Sequence, residues 1–452
     1  MNDRVKKVFE YIEEHQQEYI SKFQEFVRQP SIAANGHGIP EMIQLVEDSL
    51  KSLGAQPVLF ENDGNPIIYA EMKGENEHTF GFYDHYDVQP EGDHALWEDD
   101  PYGAVIRDGV MYGRGCADNK NGLAAKLCAV DAWQKVYKSL PCGVKFFVEG
   151  EEEVGSPHLE SFAKEHPDLL TCDGFNWETG TKEVGGAPEI ALGSKGMLYV
   201  EFHVKTADND GHSRFAPILE NAAWRLLRAL ATIKDENDHI LIEGFYDGVK
   251  EPGEDVLANL KNDNLKEEDV KNLFGVDRFI NGLTGEEMLK KYYFTPTANI
   301  CGMSSGYTEK GQKAIVPCRA DAKMDFRLVP GQEPDRIFEL LRAHLDRHGF
   351  SDVEVEKLSV MPAYSTSQDS PFFGIVKNVL TEMFEEPVVH NMMTGTTPMP
   401  VFCKEQNIPV ATFGCSSETA GIHAPNEHQH IQSWVDEIKV MAAVMGGLGD
   451  LQ

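Results

Sequence analysis

The sequence predicts an α/β protein whose mostly parallel sheet is interrupted by a smaller α+β unit. Short apolar runs alternate with helical patterns in the first and last parts of the chain, which is the order expected of a parallel sheet with crossover helices. Between them, from about Gly193 to Ser370, the pattern changes to alternating strands and amphipathic helices. At 452 residues the chain also exceeds what one hydrophobic core usually organises, so two domains are expected.

The larger unit is predicted from its apolar runs and the helices between them. Strand-like runs lie at residues 66–71, 79–83, 144–149 and 409–413. Residues 122–138 have the period of an amphipathic helix, with Leu123 and Leu127 on the apolar face, and a similar pattern begins near Val435. In open α/β sheets, ligands bind in the loops beyond the carboxyl ends of the strands, so functional side chains are expected there.

The smaller unit is predicted to be ferredoxin-like in outline. Its strands lie at 199–205 and 320–328, and its helices lie at 217–233 and 337–348. Two strand and helix pairs of this kind form a small α+β unit. The charged stretch 235–291 keeps apolar residues, so it is predicted to be a helical insertion rather than a linker. The larger domain is therefore predicted to contain residues 1–195 and 370–452, and the inserted domain residues 196–369.

The amino-acid composition indicates which binding partners and which cellular compartment to expect. The 41 basic residues against 74 acidic residues give a net charge of -33, which repels nucleic acid phosphates and anionic membrane surfaces. The eight cysteines form no Cys-x-x-Cys pair and no dense cluster, so no disulfide framework is expected and a reducing cytoplasm is predicted. No uncharged apolar run approaches the ~20 residues of a membrane span, so a soluble protein is expected.

Acidic and imidazole side chains stand close to the ends of the apolar runs. They are His85, Asp87, Asp118, Glu152, Glu153, Glu178 and His423. Carboxylate oxygens and imidazole nitrogens in such a set suit two borderline divalent cations that share a bridging carboxylate. Such a pair lowers the pKa of bound water and produces a hydroxide nucleophile near neutral pH. The residues alone therefore predict a hydrolase.

Five phrases of the sequence occur in the order typical of one enzyme family. They are HYDVQP at 85–90, YGRG at 112–115, EEVGS at 152–156, FRLVP at 326–330 and HAPNE at 423–427. With these phrases the chain resembles the dinuclear zinc metallopeptidase and deacylase family of carboxypeptidase G, aminoacylase, acetylornithine deacetylase and succinyl-diaminopimelate desuccinylase. Within that family it is most similar to the branch of cytosolic nonspecific dipeptidases and carnosine dipeptidases.

The resemblance implies which residues hold the cations. Asp118 would bridge the two ions. His85 and Glu178 would complete one site. Glu153 and His423 would complete the other. The implied cofactor is two divalent metal ions, with Zn²⁺ expected and Mn²⁺ or Co²⁺ also suited, because ligands of this composition do not select by affinity alone. The dipeptidase branch usually has aspartate at the position of Glu178, whereas glutamate is more typical of its carboxypeptidase and deacylase members.

Glu152 and Asp87 have implied roles beside the ions. Glu152 would be the general base that takes the proton of the nucleophilic water and passes it to the leaving amine, because adjacent carboxylates on a turn can point in different directions. Asp87, two residues from His85 on the same strand face, is suited to accept the second N–H of that imidazole. That bond would fix the tautomer of His85 and raise its basicity.

Three further residues have implied roles in substrate binding. His212 matches the family histidine that reaches into the partner subunit's active site and stabilises the tetrahedral oxyanion, which implies a homodimer. Arg327 matches the arginine that holds the terminal carboxylate of the substrate. Thr396 lies in the segment TGTTPM at 394–399, which replaces the more usual glycine-glycine-serine segment near the substrate.

The expected activity is metal-dependent hydrolysis of an amide bond in dipeptides or short peptides that have a free carboxylate. A metal-bridged hydroxide would attack, with a glutamate as general base. Two alternatives stay open. The same scaffold could remove the acyl group of N-acyl amino acids, or the chain could be a catalytically silent dimer that binds a metal or another ligand.

Overall fold

The computed structural model describes residues 1–451, with the backbone alone at residue 255. The chain divides into two compact units. Unit 1 contains Met1–Gly193, Thr366–Asn391 and the residues from Val401 onward, and unit 2 contains Ser194–Ser365 and Met392–Pro400. The predicted domain limits stay a prediction, although Met392–Pro400, which the sequence places in the larger domain, belongs to unit 2. No described helix is long and apolar enough to cross a bilayer.

Helices and strands are mixed along the whole described chain. The helices are α1 (Asp3–Glu14), α2 (Gln16–Arg28), α3 (Ile39–Ser52), α4 (Lys120–Tyr137), α5 (Leu159–Glu165), α6 (Pro167–Leu170), α7 (Ala222–Leu230), α8 (Glu254–Asn259), α9 (Glu267–Phe274), α10 (Gly285–Phe294), α11 (Pro334–Arg347), α12 (Pro371–Met383), α13 (Met399–Cys403) and α14 (Ile431–Gly449). The strands are β1 (Val58–Phe60), β2 (Ile67–Met72), β3 (Thr79–His85), β4 (Val105–Arg107), β5 (Val110–Tyr112), β6 (Gly143–Glu149), β7 (Gly174–Trp177), β8 (Glu189–Ala191), β9 (Gly193–Ser194), β10 (Gly196–Lys205), β11 (Gly211–His212), β12 (Thr297–Ser305), β13 (Ile315–Val316), β14 (Arg319–Leu328), β15 (Glu354–Met361), β16 (Tyr364–Ser365), β17 (Val388–His390), β18 (Val410–Ala411) and β19 (His428–His430). The predicted α/β class is confirmed.

The main sheet of unit 1 has six strands in the order β1-β2-β6-β3-β7-β18. Strands β6, β3, β7 and β18 run parallel, whereas β1 and β2 add an antiparallel edge. β3 lies at the centre, and its side chains are buried from Phe80 to His85, as expected of a strand that is covered on both faces. Because β3 and β7 are parallel neighbours, they end at the same edge of the sheet, where the predicted ligands follow.

Helices α4 and α14 pack against each other and against β3. Trp434 of α14 donates from Nε1 to the carbonyl of Asn121, in the first turn of α4, at 3.0 Å. Trp133 of α4 donates in turn to the carbonyl of Ala442 of α14 at 3.0 Å. Two buried tryptophans whose N–H groups are satisfied fix the position of α4. That position matters because α4 begins two residues after Asp118.

Unit 2 is built on a four-stranded antiparallel sheet in the order β12-β14-β10-β15. Burial alternates along β10 and β14, so one face of the sheet is covered and the other is more open. Helices α7 and α11 cover the buried face, where Leu226 and Leu341 lie in the core. This antiparallel sheet with two helices is the α+β arrangement that the sequence predicts.

The charged stretch 235–291 forms helices, as the sequence predicts. α8, α9 and α10 lie within it or continue from it, and a small apolar cluster lies among them. The buried members of that cluster are Leu260, Met288, Leu289 and Tyr293. Acidic residues occupy the first turns of α9 and α10, where they suit the positive end of the helix dipole.

Candidate metal centre

His85 is the last residue of β3, and its imidazole is buried. Its Nε2 lies 3.1 Å from Oδ1 of Asp118. Its Nδ1 lies 3.1 Å from the main-chain oxygen of Asp87 and 3.4 Å from Oδ1 of the same residue. An N–H that Nδ1 donates to Asp87 leaves the lone pair on Nε2, which is the tautomer that a metal-binding histidine needs.

The carboxylate of Asp87 also makes contacts that the sequence does not predict. It accepts hydrogen bonds from the main-chain N–H groups of Glu152, at 3.3 Å, and Glu153, at 3.1 Å. Both donors lie in the single helical turn Glu152–Val154. Asp87 therefore connects the end of β3 to the turn that carries the two glutamates, in addition to its place beside His85.

Asp118 lies in the turn before α4, with its carboxylate between two histidines. Oδ1 is 3.1 Å from Nε2 of His85, and Oδ2 is 3.0 Å from Nε2 of His423. The main-chain N–H of Asp118 donates to Oε1 of Glu427 at 3.2 Å. Glu427 is buried and also accepts from Nη1 of Arg114 at 2.5 Å. Since Glu427 is four residues after His423, one carboxylate connects the two loops that carry these ligands.

Glu153 and His423 lie on the other side of Asp118. Nε2 of His423 is 3.1 Å from Oε2 of Glu153. Gln89 donates its main-chain N–H to Oε1 of Glu153 at 3.2 Å and its side-chain amide to the carbonyl of the same residue at 2.8 Å. The backbone of His423 has a φ of 61°, in the left-handed region, so this histidine is presented by an irregular loop and not by a strand.

Two groups of three ligand atoms converge in unit 1, and within each group the atoms lie within 4.8 Å of one another. The groups are His85, Asp118 and Glu178, and Asp118, Glu153 and His423. Atoms bound to one Zn²⁺ at about 2.0 to 2.2 Å lie roughly 3 to 4 Å apart, so this donor set fits divalent cations. Asp118 belongs to both groups, as a carboxylate that bridges two ions would. The structure thus brings all five predicted ligands together.

The charges in this cluster displace the pKa values of its members. Burial raises the pKa of Asp118, but hydrogen bonds with His423 and His85 outweigh burial and hold that pKa well below its ordinary value. Hydrogen bonds with Asp118 and then Glu153 raise the pKa of His423 to about 10. Burial raises the pKa of Glu152, and the negative charges of Asp118 and Glu153 add to the effect. Carboxylates outnumber imidazoles here, and bound cations would neutralise that excess of negative charge.

Glu152 lies in the same helical turn as Glu153 but belongs to neither group of three ligands. The main-chain N–H of Glu152 donates to Asp87, which fixes the turn. In this turn Glu153 lies against His423, whereas the carboxylate of Glu152 stays outside the ligand groups. This separation is what a general base beside a metal ligand requires. The role of Glu152 itself stays a prediction.

Two of the predicted substrate residues lie close together in unit 2. Arg327, on β14, donates from Nη1 to the hydroxyl of Thr396 at 2.7 Å. His212 lies elsewhere in unit 2, on the short strand β11, and its side chain is exposed. Its Nδ1 accepts the main-chain N–H of Arg214 at 3.1 Å. The action of His212 on a partner subunit stays a prediction.

The sequence predicts no role for several buried charged residues around the proposed ligands, and four of them form two ion pairs. They are Asp84, Lys126, Arg114 and Glu427. Lys126 interrupts the apolar pattern of α4 and Asp84 interrupts that of β3, and a charge inside an apolar element is expected to be paired. That signal could have identified Asp84 and Lys126 as a pair. Glu427 and Arg114 lie within phrases that carry the family resemblance, but the residues themselves indicate no role.

The fold and the ligand cluster together define a metal-dependent hydrolase. A family model described as peptidase family M20/M25/M40 matches residues 81–446. The chain belongs to this family. The resemblance inferred from the five phrases is therefore confirmed, and so is the class of enzyme, a metallopeptidase.

Relatives of known structure and sequence match the chain over nearly its whole length. An M20 family metallo-carboxypeptidase from Sulfolobus solfataricus, Sso-CP2, is 34% identical, with a TM-score of 0.85, and the match covers 96% of this chain and 100% of that one. Human carnosine dipeptidase 1 is 28% identical, with a TM-score of 0.67, over 99% of this chain and 100% of that one. The Beta-Ala-His dipeptidase of Mus musculus is 28% identical over 97% of this chain and 94% of that protein.

Proposed function

We propose that this enzyme hydrolyses the amide bond of dipeptides and short peptides with a free terminal carboxylate, using two divalent cations. The observation that carries the proposal is the pair of ligand groups that share Asp118. The names of the relatives support peptides as substrates, since they include a metallo-carboxypeptidase, a carnosine dipeptidase and a Beta-Ala-His dipeptidase.

The proposed cations are Zn²⁺, held by the five residues that the sequence predicts. They are His85, Asp118, Glu153, Glu178 and His423. When bound, such a pair of ions supplies the positive charge that lowers the pKa of water and polarises the carbonyl of the substrate. Carboxylate and imidazole ligands also suit Mn²⁺ and Co²⁺, so the choice of Zn²⁺ is tested by metal replacement.

Glu152 is the proposed general base. It takes a proton from the attacking water and delivers it to the nitrogen of the leaving amine. Asp87 supports this step because its carboxylate accepts the main-chain N–H groups of Glu152 and Glu153, which fixes the turn relative to His85. A fixed turn keeps the base at a constant distance from the ligand beside it.

Arg327 is the proposed site for the terminal carboxylate of the substrate, together with Thr396. The partner of its Nη1 is a neutral hydroxyl, at 2.7 Å. A substrate carboxylate beside Thr396 would give the guanidinium a charged partner in addition to Asp325, whose Oδ2 lies 3.7 Å from Nε. The planar guanidinium offers parallel N–H groups for such a carboxylate. Substrates without a terminal negative charge should therefore bind less well.

The proposed assembly is a homodimer in which His212 acts on the active site of the partner copy and stabilises the oxyanion. Unit 2 exposes apolar side chains close to His212 in the sequence. They are Phe215, Ile218, Leu219, Trp224 and Leu227. Exposed apolar groups that cluster in one segment are typical of a surface that another protein covers. Sedimentation velocity checks this assembly, and a purely monomeric enzyme would contradict it.

The proposed location is the cytoplasm. All eight cysteines are free, and five of them are buried as small apolar side chains. Unpaired thiols in a chain of this kind fit a reducing compartment. Cell fractionation with an antibody against the protein checks this location.

The test of function is an assay of the metal-depleted protein after addition of Zn²⁺, Mn²⁺ or Co²⁺. Dipeptides such as Ala-Ala and the corresponding N-acetyl amino acids are offered side by side. We expect metal-dependent release of free amino acids from the dipeptides. Release of acetate without dipeptide hydrolysis would identify a deacylase instead. Binding of two ions without turnover of either substrate would identify a silent binding protein.

A further inference from the structure

One buried lysine joins the elements that carry the first group of ligands. Lys126 lies on α4 and is fully buried. Its Nζ donates to Oδ1 of Asp84 at 2.7 Å, to the carbonyl of Glu178 at 2.9 Å and to the carbonyl of Tyr83 at 3.3 Å. An ammonium group has three protons to donate, and here each has an acceptor.

The acceptors of Lys126 lie directly beside ligands. Asp84 precedes His85 at the end of β3, and Glu178 follows the last residue of β7. The helix that carries the lysine begins two residues after Asp118. Lys126 therefore connects the three elements that present His85, Asp118 and Glu178, which are the three members of one ligand group.

The backbone of Glu178 is in a conformation that needs support from its surroundings. Its φ is 55°, in the left-handed region, which is unfavourable for a residue with a Cβ. Such a conformation persists when neighbouring groups fix it. The main-chain N–H of Glu178 donates to the carbonyl of Tyr83 at 2.8 Å, and its carbonyl accepts from Lys126 at 2.9 Å. Both polar groups of this residue's backbone are thus held beside β3.

We propose that Lys126 is a positioning residue for the cation site formed by His85, Asp118 and Glu178, with Asp84 as its buried counter-ion. This inference rests on the proposed two-cation centre. A buried ammonium persists when it is paired and fully hydrogen-bonded, and Asp84 supplies that charge. Lys126 acts on the ion through the main chain of Glu178 and does not itself serve as a ligand. In the described part of the chain, the Nζ of Lys126 bonds to Tyr83, Asp84 and Glu178, and not to Glu153 or His423 of the second site.

Three variants separate positioning from general stability. Lys126→Met with Asp84→Asn removes both charges together with the donors to the carbonyls of Glu178 and Tyr83. Asp84→Asn alone keeps those donors and removes only the counter-charge. Lys439→Met is a matched control, because Lys439 is a mostly buried lysine of the same unit whose Nζ pairs with Glu13 at 2.7 Å, away from the ligands.

The measurement is Zn²⁺ binding by equilibrium dialysis, with thermal unfolding in parallel. We expect two binding steps in the wild-type enzyme. In the double variant one step should weaken by about 10- to 100-fold while the other is unchanged, as is typical when a group that orients a ligand is lost. Lys439→Met should keep both steps. Asp84→Asn should also keep both steps, because the donors to the carbonyls remain, but with a lower Tm, because the buried ammonium loses its counter-charge. At saturating Zn²⁺ the kcat of the double variant should return towards the wild-type value, because the lysine touches no substrate.

Each other outcome is decisive. If the double variant binds both ions with wild-type affinity, the inference is overturned. Equal weakening of both steps together with a lower Tm would mean that Lys126 only stabilises the fold, which also overturns it. If the wild-type enzyme binds fewer than two ions, the proposed metal centre itself fails. Should the double variant not fold, Asp84→Asn with Lys126→Gln is measured instead. Its shorter neutral side chain loses the charge and part of the contact with the carbonyls of Glu178 and Tyr83, so the same step should weaken, though less, and unchanged Zn²⁺ binding overturns the inference.

Discussion

Neighbouring carboxylates in one turn take different positions in this enzyme. Glu153 lies 3.1 Å from Nε2 of His423, whereas Glu152 belongs to neither ligand group. The hydrogen bonds that both main-chain N–H groups donate to the carboxylate of Asp87 hold this turn in place. At the scale of the residue, the proposed ligand Glu153 and the proposed base Glu152 therefore differ in their position within one turn and not in residue type.

Replacing the proposed base tests this distinction. In Glu152→Gln the side chain keeps its size and loses the ability to take a proton. We expect kcat to fall by roughly 10²-fold or more, the usual contribution of a general base, with both metal ions retained. Steady-state kinetics and metal analysis of the same preparation check this. A variant with normal kcat, or one that has lost its metal, would contradict the assigned role.

Arg327 allows a test that uses the substrate as its own control. Arg327→Met keeps an unbranched apolar side chain and removes the guanidinium group with its charge. We expect kcat/KM for a dipeptide with a free carboxylate to fall by about 10- to 100-fold, since a hydrogen bond between charged groups contributes about 1.5 to 3 kcal/mol. The C-terminal amide of the same dipeptide should be affected little. An equal loss of kcat/KM for both substrates would mean that Arg327 does not bind the terminal carboxylate.

The convergence of the five proposed ligands could be predicted from the sequence because each one follows an apolar run or lies in a recognisable phrase. The buried partners could not, since their pairing depends on contacts across the fold. Lys126 and Asp84 are 42 residues apart, and Arg114 and Glu427 are 313 apart. A sequence pattern states that a buried charge needs a partner, but only the packing of the elements selects which one.

At the scale of the element, α14 carries a buried carboxyl group against the centre of unit 1. Burial raises the pKa of Glu437 to about 7, although the hydrogen bond from Thr179 and the charge of Lys126 oppose the shift. Its Oε1 accepts the hydroxyl of Thr179 at 2.5 Å, whereas no described residue donates to Oε2. The free energy of unfolding is therefore expected to depend on pH through the ionisation of Glu437.

The sign of that response follows from proton binding. Between pH 4.5 and about 7 the unfolded chain has released the proton of Glu437 while the folded chain retains it. The unfolded state then binds fewer protons, so stability falls as pH rises through this window. Glu437→Gln removes the ionisation and keeps an oxygen for Thr179. We expect its free energy of unfolding to exceed that of the wild type by about 1 to 3 kcal/mol at pH 8 and hardly at all at pH 5.

Urea unfolding of both proteins at pH 5, 6.5 and 8 checks this expectation. Other groups titrate in both proteins alike, so the difference between them isolates Glu437. A difference that is the same at every pH would mean that the substitution acts through packing instead.

The positions of the helices and strands were predicted well because burial of apolar residues determines them. Their ends were predicted less well because capping and single polar contacts determine those. The strand predicted at 79–83 runs to His85, because the polar side chains of Asp84 and His85 are buried and paired. The helix predicted at 217–233 is Ala222–Leu230, since Asn221 caps it by accepting the main-chain N–H of Trp224 at 3.2 Å. Apolar periodicity locates an element, whereas its ends depend on single polar contacts.

At the scale of the whole molecule, the proposed dimer predicts complementation between two inactive variants. Glu152→Gln lacks the base and His212→Ala lacks the proposed oxyanion donor. If His212 acts across the dimer, a mixed dimer contains one complete site. Equal amounts of the two, after subunit exchange, should recover about a quarter of wild-type activity, because half the dimers are mixed and each has one working site of two.

The control for complementation is a mixture of Glu152→Gln with the double variant Glu152→Gln and His212→Ala, which can form no complete site. It should stay inactive after the same exchange. If the first mixture also stays inactive although mixed dimers are detected by native mass spectrometry, His212 does not act on the partner's site.

The two histidines that flank Asp118 come from opposite regions of the polypeptide, since His423 is 305 residues from that aspartate. During translation, β3 and α4 emerge long before the loop of His423 and Glu427. A ribosome-bound chain that stops short of this loop cannot form the second ligand group. We therefore expect the growing chain to have no peptidase activity until the loop of His423 has left the ribosome and packed against the turn that carries Asp118.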